Sequence, residues 1–297
     1  MSVLKITDLH KNYGKIEALK GLNLEVEAGQ VYGILGPNGS GKTTTLGIIL
    51  GILEQTSGSF TWFAGKYGDN PRRRIGAILE TPNFYPYLDA VSNLKIVQRI
   101  KKSWDDDLDS LLHKVNLFER RHSRFRTYSL GMKQRLAIAA TLIGNPDVVI
   151  FDEPTNGLDP QGIAEVRITL QDIANSGKTV IMASHILDEV EKICTHVAII
   201  KQGNLLATGS VGSILSSDTT VELAVNDMSK LKDILAHIPT IKNIVQKNNF
   251  VECTVTDEKD VEGIIRKCID SGLLPTHIVK RKRKLEEEFL EITKETA

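Results

Sequence analysis

Residues 31–44 read Val-Tyr-Gly-Ile-Leu-Gly-Pro-Asn-Gly-Ser-Gly-Lys-Thr-Thr, and no other stretch restricts the fold as much. The apolar run at 31–35 predicts a buried strand, and a helix-compatible segment starts at Lys42. Between them stand glycines at 36, 39 and 41, so Gly36-x-x-x-x-Gly41-Lys42-Thr43 satisfies the P-loop pattern in its strand–loop–helix setting. Glycines let successive backbone N–H groups turn inward without side-chain clash, forming a concave cradle for phosphate oxygens. The helix that follows adds the positive end of its dipole. Lys42 offers a point charge to β- and γ-phosphates, and the Thr43 hydroxyl offers a ligand to Mg²⁺. The expected contacts of a nucleoside triphosphate are therefore Gly36, Pro37, Asn38, Gly39, Ser40, Gly41, Lys42, Thr43 and Thr44.

At 297 residues the chain can bury a sizeable core in one large domain or two. Its 37 basic residues balance 37 acidic ones, which argues against a general nucleic-acid binder. Cys194, Cys253 and Cys268 lie far apart without metal-ligand spacing and are expected as reduced thiols. No N-terminal apolar segment resembles a signal peptide. The longest apolar run near the P-loop, residues 46–53, is about ten residues too short to span a bilayer. A soluble chain is expected, with any membrane role exercised through a partner.

Val3, Leu4, Ile6 and Leu9 alternate with polar residues and predict an antiparallel strand over 2–9. Asn12-Tyr13-Gly14 predicts a turn, and residues 22–26 a second strand. Tyr13 suits either stacking on an adenine face or packing at a sheet edge. Downstream, Leu46, Ile49, Leu50 and Leu53 form an apolar stripe on a helix over 45–53. Strands at 58–63 and 74–79 precede a loop with two prolines and two aromatics, and then a helix over 90–101. Asp105, Asp106 and Asp107 are expected to cap a helix over 108–115. Residues 118–128 form a basic link that suits either neutralising phosphate or, as the expected reading, a solvated surface segment, and Ser129 is the natural N-cap of a helix over 132–143.

Residues 147–152, Asp-Val-Val-Ile-Phe-Asp, form a continuous apolar strand ending in a carboxylate. This is the profile of a central parallel strand that presents Asp152 at its C-terminal edge. Glu153 follows at once, then the turn 154–160, a helix over 163–174 and a strand over 179–183. His185 sits where that strand hands over to a helix over 186–193, a position from which a side chain reaches a ligand. Beyond residue 210 the character changes. Strands at 220–225, 241–245, 250–255 and 277–282, with helices at 229–237, 258–271 and 285–293, give the order βαββαβα of a small α+β appendage. The basic run 280–284 and acidic run 286–288 read as a solvated strand end and helix start, with a membrane or nucleic-acid patch as the alternative.

Taken in order, the P-loop at 36–43, Ser129-Leu130-Gly131-Met132-Lys133-Gln134-Arg135, the strand ending in Asp152-Glu153, Asn156-Gly157-Leu158-Asp159 and His185 resemble the ATP-binding subunits of ABC transporters. The resemblance spans residues 1–215 and implies an α/β fold. Its parts would be a RecA-like P-loop NTPase core, an antiparallel β subdomain and an inserted helical subdomain over 82–145; residues 216–297, beyond the resemblance, are expected from their pattern to form a C-terminal accessory α+β domain. It implies an ATPase that works as a head-to-tail dimer sandwiching two nucleotides. The helix led by Ser129 would then offer N–H groups to the γ-phosphate held by the other subunit's P-loop. Nucleotide binding would drive closure and hydrolysis would drive opening. In the same terms, Asp152 with Thr43 holds Mg²⁺, and Glu153 orients or deprotonates the attacking water. Lys42 stabilises charge on the transferring phosphoryl, and His185 contacts the γ-phosphate. Tyr13 matches the adenine-stacking aromatic, Gly131 belongs with Ser129 to the signature, and Asp159 lies across the dimer interface.

Two departures matter. Glu80 stands where the family usually carries a glutamine that touches Mg²⁺ and the attacking water. A carboxylate there strengthens metal binding while repelling phosphate, so Glu80 joins the expected catalytic and metal-contacting residues. Residues 78–86, Ile-Leu-Glu-Thr-Pro-Asn-Phe-Tyr-Pro, resemble the bacitracin- and lantibiotic-resistance exporter subgroup, as do Leu130 and Met132 in the signature. Glu80 is further expected to transmit nucleotide state to a membrane subunit, an idea that fails if Glu80→Gln leaves ATPase activity and transport unchanged. The resulting expectation is an ATPase that drives export of a peptide antibiotic, drug or lipid through a separate membrane permease. It would sit at the inner face of the cell membrane, as a homodimer or paired with a second ATPase subunit. The main alternative is an ABC ATPase that acts as a mechanical or regulatory switch without transport. A module that binds ATP without splitting it is the third reading, and the presence of Glu153 and His185 speaks against it.

Overall fold

The computed structural model describes residues 1–68, 70–79, 81–214, 219–255, 260–282 and 289. It divides into two compact units, Met1–Val211 and Gly212–Ala297.

In the first unit β1 (Ser2–Tyr13), β2 (Ile16–Glu27) and β4 (Ser57–Trp62) form an antiparallel sheet in the order β2-β1-β4. Alternate residues of β1 and β2, among them Leu4, Ile6, Leu22, Leu24 and Val26, turn into the core. The strand does not stop at residue 9. Pairing continues through His10↔Lys20 to Tyr13↔Ile16, so Tyr13 ends a strand instead of standing in a turn. Backbone pairing carries the ladder past the point where apolar alternation ceases, because hydrogen bonding along a hairpin needs no apolar side chain.

A six-stranded sheet holds the P-loop strand β3 (Val31–Leu35) together with β5 (Ile75–Ile78), β6 (Val148–Asp152), β7 (Thr179–Ser184), β8 (His196–Lys201) and β9 (Asn204–Ser210). Its order is β5-β6-β7-β3-β8-β9, parallel throughout except for the last strand. Every residue of β3, β6 and β7 is buried, as both faces of a parallel sheet are covered. The register pairs Leu35 with Ser184 and Asp152 with Ala183, so the C-terminal ends of three strands come level. Phe151 is fully buried one position before that edge. Phe151→Ala is expected to cost about 3–5 kcal/mol of stability, the usual range for emptying an aromatic core site, read as an earlier urea midpoint at unchanged slope.

The P-loop helix α1 (Lys42–Ile49) is shorter than the stripe predicts and is buried on most sides, with Thr45, Ile48 and Ile49 all inside. Between β5 and β6 the chain inserts α2 (Ala90–Lys101), α3 (Leu108–Lys114) and α4 (Leu130–Leu142). Each has an N-cap that accepts backbone N–H groups: Asp89 from Ser92, Asp107 from Asp109 and Ser110, Ser129 from Met132. Asp107 alone of the acidic triplet caps α3. Asp106 turns the other way and accepts from Ser103 Oγ (2.7 Å) and Gly144 N (2.6 Å). Nor is the link at 118–128 wholly solvated. Phe125 and Tyr128 are buried, and the Tyr128 hydroxyl donates to the Arg120 carbonyl at 2.7 Å, while Arg124 and Arg126 face outward. The unit is completed by α5 (Pro160–Asn175) and α6 (Leu187–Ile193).

A short turn of helix, α7 (Val211–Ile214), leads into the second unit. There β10 (Thr219–Val225), α8 (Met228–Ala236), β11 (Ile241–Gln246), β12 (Val251–Val255), α9 (Asp260–Asp270) and β13 (Pro275–Lys282) build a four-stranded antiparallel sheet in the order β11-β12-β10-β13. This is the split βαββαβ arrangement, with Val221, Leu223, Leu231, Cys253 and Ile264 in its core. The expected helix over 285–293 lies, apart from Phe289, outside the described residues. All three cysteines are free and buried. Burial pushes the Cys253 thiol up to about 11 and Cys194 higher still. Folded protein at neutral pH is therefore expected to resist iodoacetamide and to gain three labels only in denaturant, counted by mass spectrometry.

Candidate active site

The loop after β3 closes tightly because two of its glycines have no room for a side chain. A Cβ on Gly36 would lie 2.2 Å from the Ile200 carbonyl oxygen and 2.6 Å from Ser40 Oγ. Gly41 has φ +110, and a Cβ there would lie 2.8 Å from the Ala18 carbonyl. Gly41 is also the N-cap of α1, so no side chain caps the helix and its first N–H groups remain open to an anion. Pro37, Asn38 and Gly39 form the exposed lip, and Ser40 is buried beneath it.

Lys42 is buried, and its amine donates to the Gly36 carbonyl at 2.8 Å and the Pro37 carbonyl at 3.3 Å. It also lies 3.3 Å from Glu153 Oε1. The other oxygen of Glu153 lies 2.8 Å from His185 Nδ1 and accepts from the His185 backbone N–H at 3.3 Å. One carboxylate thus bridges the P-loop lysine and the histidine after β7. Its backbone is left-handed, at φ 49, held by a 2.9 Å bond from Glu153 N to the Ala183 carbonyl. A non-glycine residue in that region costs about 1–2 kcal/mol, strain that clusters at functional positions.

Thr43 Oγ1 donates to Asp152 Oδ2 at 2.8 Å. The pair brings a hydroxyl and a buried carboxylate side by side at the sheet edge, next to the loop that suits phosphate. Hard oxygen donors in this small number suit Mg²⁺, which keeps waters and takes its remaining ligands from phosphate. The donor set therefore fits the ion.

The remaining expected residues group elsewhere. Ser129 is exposed and accepts from Met132 N at 3.2 Å. Leu130, half-exposed, reaches the turn at 154–160, lying 3.3 Å from where a Gly157 Cβ would be. A Cβ on Gly131 would lie an ordinary 3.7 Å from Gly162 Cα. Asp159 caps α5, accepting from Gly162 N at 2.9 Å, and Arg135 joins α4 to α5 through Glu165 at 3.1 Å. The signature and the Asp159 turn are thus one assembly, while Lys42, Thr43, Asp152, Glu153 and His185 form another. Tyr13 is exposed, with the Lys11 amine 5.0 Å from its ring centre. Glu80 lies outside the described residues. Residue spacing did not reveal the Lys42–Glu153 ion pair, the Arg135–Glu165 link or the wall that Ala18 forms behind Gly41.

The family model described as ABC transporter matches residues 19–156. An uncharacterised ABC transporter ATP-binding protein of Bacillus subtilis (strain 168), YdbJ, is 35% identical over 296 residues, covering 98% of this chain and 95% of its own. The bacitracin transport ATP-binding protein BcrA of Bacillus licheniformis is 43% identical over 213 residues, 69% of each chain. Among solved structures, the ATP-binding cassette MJ0796, dimeric and bound to ADP and Pi after hydrolysis, matches with a TM-score of 0.62 at 27% identity. The match covers 70% of this chain and 98% of that one.

Proposed function

The chain belongs to the ABC transporter ATP-binding family, and on that premise we propose that it drives export of a peptide antibiotic, drug or lipid through a separate membrane permease. It is an ATPase of the RecA-like P-loop class. One observation carries the reading of the site: the Glu153 carboxylate held between Lys42 (3.3 Å) and His185 (2.8 Å) at the mouth of the P-loop. In this reading Glu153 takes or orients the proton of the attacking water. Lys42 leaves its loop carbonyls for the β- and γ-phosphates, and His185 turns its ring to the γ-phosphate. Thr43 and Asp152 would hold Mg²⁺, whose charge, when bound, neutralises part of that on the phosphates. Tyr13 offers its exposed ring to the adenine, and the role proposed for Glu80 is to strengthen metal binding.

Two copies are proposed to close on two nucleotides, Ser129 and Gly131 of one facing the P-loop of the other and Asp159 lying at the junction. The exposed N-terminus of α4 supports this, as does the dimeric state of the MJ0796 cassette. Export is supported by the BcrA relative, whose name states bacitracin transport. Among the described residues no helix is long and apolar enough to cross a membrane, and the proposed path for cargo lies in the partner. The test is affinity capture of the tagged chain from detergent-solubilised membranes. A polytopic membrane protein should copurify and raise ATP turnover. Repeated recovery without any such partner, with full turnover alone, refutes the transport reading.

A further inference from the structure

A cavity of about 520 Å³ is lined by Arg72, Arg73, Arg74, Lys101 and Lys102, and no carboxylate stands among its described lining residues. The chain as a whole is neutral, with 37 residues of each sign, so this is a local excess. Asp69, beside Asn70 in the sequence, lies outside the described residues.

Two of the five cations are already engaged. Arg74 forks onto Asp147, through Nε to Oδ2 at 2.8 Å and Nη2 to Oδ1 at 2.5 Å. The Lys101 amine donates to the carbonyls of Ala140 (3.4 Å), Thr141 (3.2 Å) and Ile143 (2.9 Å), closing the C-terminal end of α4. The nearby Asp106 carboxylate is spent on Ser103 and Gly144. The side chains of Arg72, Arg73 and Lys102 have no hydrogen bond or ion pair among the described residues, and all three residues are exposed. Arg72 is nonetheless placed: its Nη2 would lie 2.2 Å from a Cβ on Gly51, so the guanidinium rests directly over that backbone.

The cavity is separate from the P-loop. Arg74 immediately precedes β5, whose first residue Ile75 pairs with Val148, which in turn pairs with Thr179. These are the N-terminal ends of the parallel strands, whereas the P-loop and Asp152 stand at the C-terminal ends. Five strand residues at about 3.3 Å each put roughly 15 Å between the two edges.

We propose that this cavity binds a phosphate-bearing anion of at least two negative charges, with Arg72, Arg73 and Lys102 as its contacts. Three cations around one opening, with no carboxylate partner among the described residues, call for more than one negative charge. Arginine's planar fork matches tetrahedral phosphate with two parallel hydrogen bonds. The volume suits a small group and falls within the range of small-molecule sites. Such an anion can be a free phosphorylated solute or the headgroup of an anionic lipid, and the two are separable.

The experiment uses the full chain with Lys42→Ala, which disables the P-loop as a competing site. Inorganic pyrophosphate is titrated at 150 mM salt while the backbone amides of Ser103 and Gly144 are followed by NMR. In parallel, sedimentation is measured with vesicles of phosphatidylglycerol and of phosphatidylcholine. The triple change Arg72→Ala, Arg73→Ala, Lys102→Ala is compared with Arg73→Glu alone, and a thermal melt confirms that each is folded. A free-anion site gives saturable shifts with pyrophosphate that weaken at least tenfold in both variants. A lipid site gives pelleting with phosphatidylglycerol only, lost in both variants, and no response to pyrophosphate. If neither probe's binding is weakened by either folded variant, the proposal is overturned. With Lys42 restored, neither variant should change basal ATP turnover.

Discussion

Glu153→Gln is expected to lower ATP turnover by about 10²–10⁴-fold, the range supplied by a positioned general base, while ATP binding survives. The exchange keeps side-chain length and shape, and it keeps an oxygen able to accept the His185 N–H that Glu153 now accepts at 3.3 Å. It removes the negative charge 3.3 Å from the Lys42 amine. In the resting chain that charge competes with phosphate for the lysine, so its loss leaves nucleotide affinity unchanged or higher. Binding and chemistry thereby separate, and the variant should accumulate with ATP and Mg²⁺ bound. If two copies close on two nucleotides, the trapped form sediments as a dimer under those conditions and as a monomer without ATP. A Glu153→Gln protein that stays monomeric with ATP, Mg²⁺ and its permease rejects the sandwich, even with turnover lost. Unchanged turnover rejects the assigned role of Glu153.

The parts of this site that could be read from residue order are those built by local rules. The P-loop is legible because glycine spacing, a preceding apolar strand and a following helix all sit within residues 31–44. Ser129 is legible as a cap because capping acts over three residues. The ends of elements were less so. Alternation that fades after residue 9 predicts a turn at Tyr13, yet backbone pairing runs on to Ile16. The basic stretch at 118–128 read as solvated because its charges outnumber its aromatics, although Phe125 and Tyr128 are buried.

What joins distant segments follows from the family resemblance and from no local pattern. Thr43 and Asp152 touch across 109 positions because the sheet order sets β3 beside β7 and β7 beside β6. No local pattern states that order. The same holds for the cluster around Arg72, which gathers the turn before β5, the end of α2 and Gly144 just beyond α4. In the second unit, alternation suffices to reveal strands, and the hairpin between β11 and β12 follows from their closeness in sequence.

Lys42→Ala is expected to behave differently from Glu153→Gln, because the amine does two jobs in the folded chain. In the substrate complex it stabilises phosphoryl charge, and losing one such group costs about 10²–10³-fold in turnover. In the resting chain it ties the loop together by donating to the Gly36 and Pro37 carbonyls. Gly36 is buried, so its carbonyl would lose a charged donor, at about 1–3 kcal/mol, with water able to reach the exposed Pro37 side more easily. Nucleotide affinity and turnover should therefore fall together, with a lower unfolding midpoint, whereas Glu153→Gln moves turnover alone. Lys42→Arg is not expected to rescue, since a planar fork cannot occupy the slot that a single ammonium fills between two carbonyls and Glu153. The double variant Lys42→Ala, Glu153→Gln separates the roles. Both groups act on one phosphoryl transfer, so the combined loss in turnover should be much smaller than the product of the single losses. Full multiplicativity, measured as kcat for the four proteins, would mean that the lysine and the glutamate work independently and that their 3.3 Å contact has no part in the reaction.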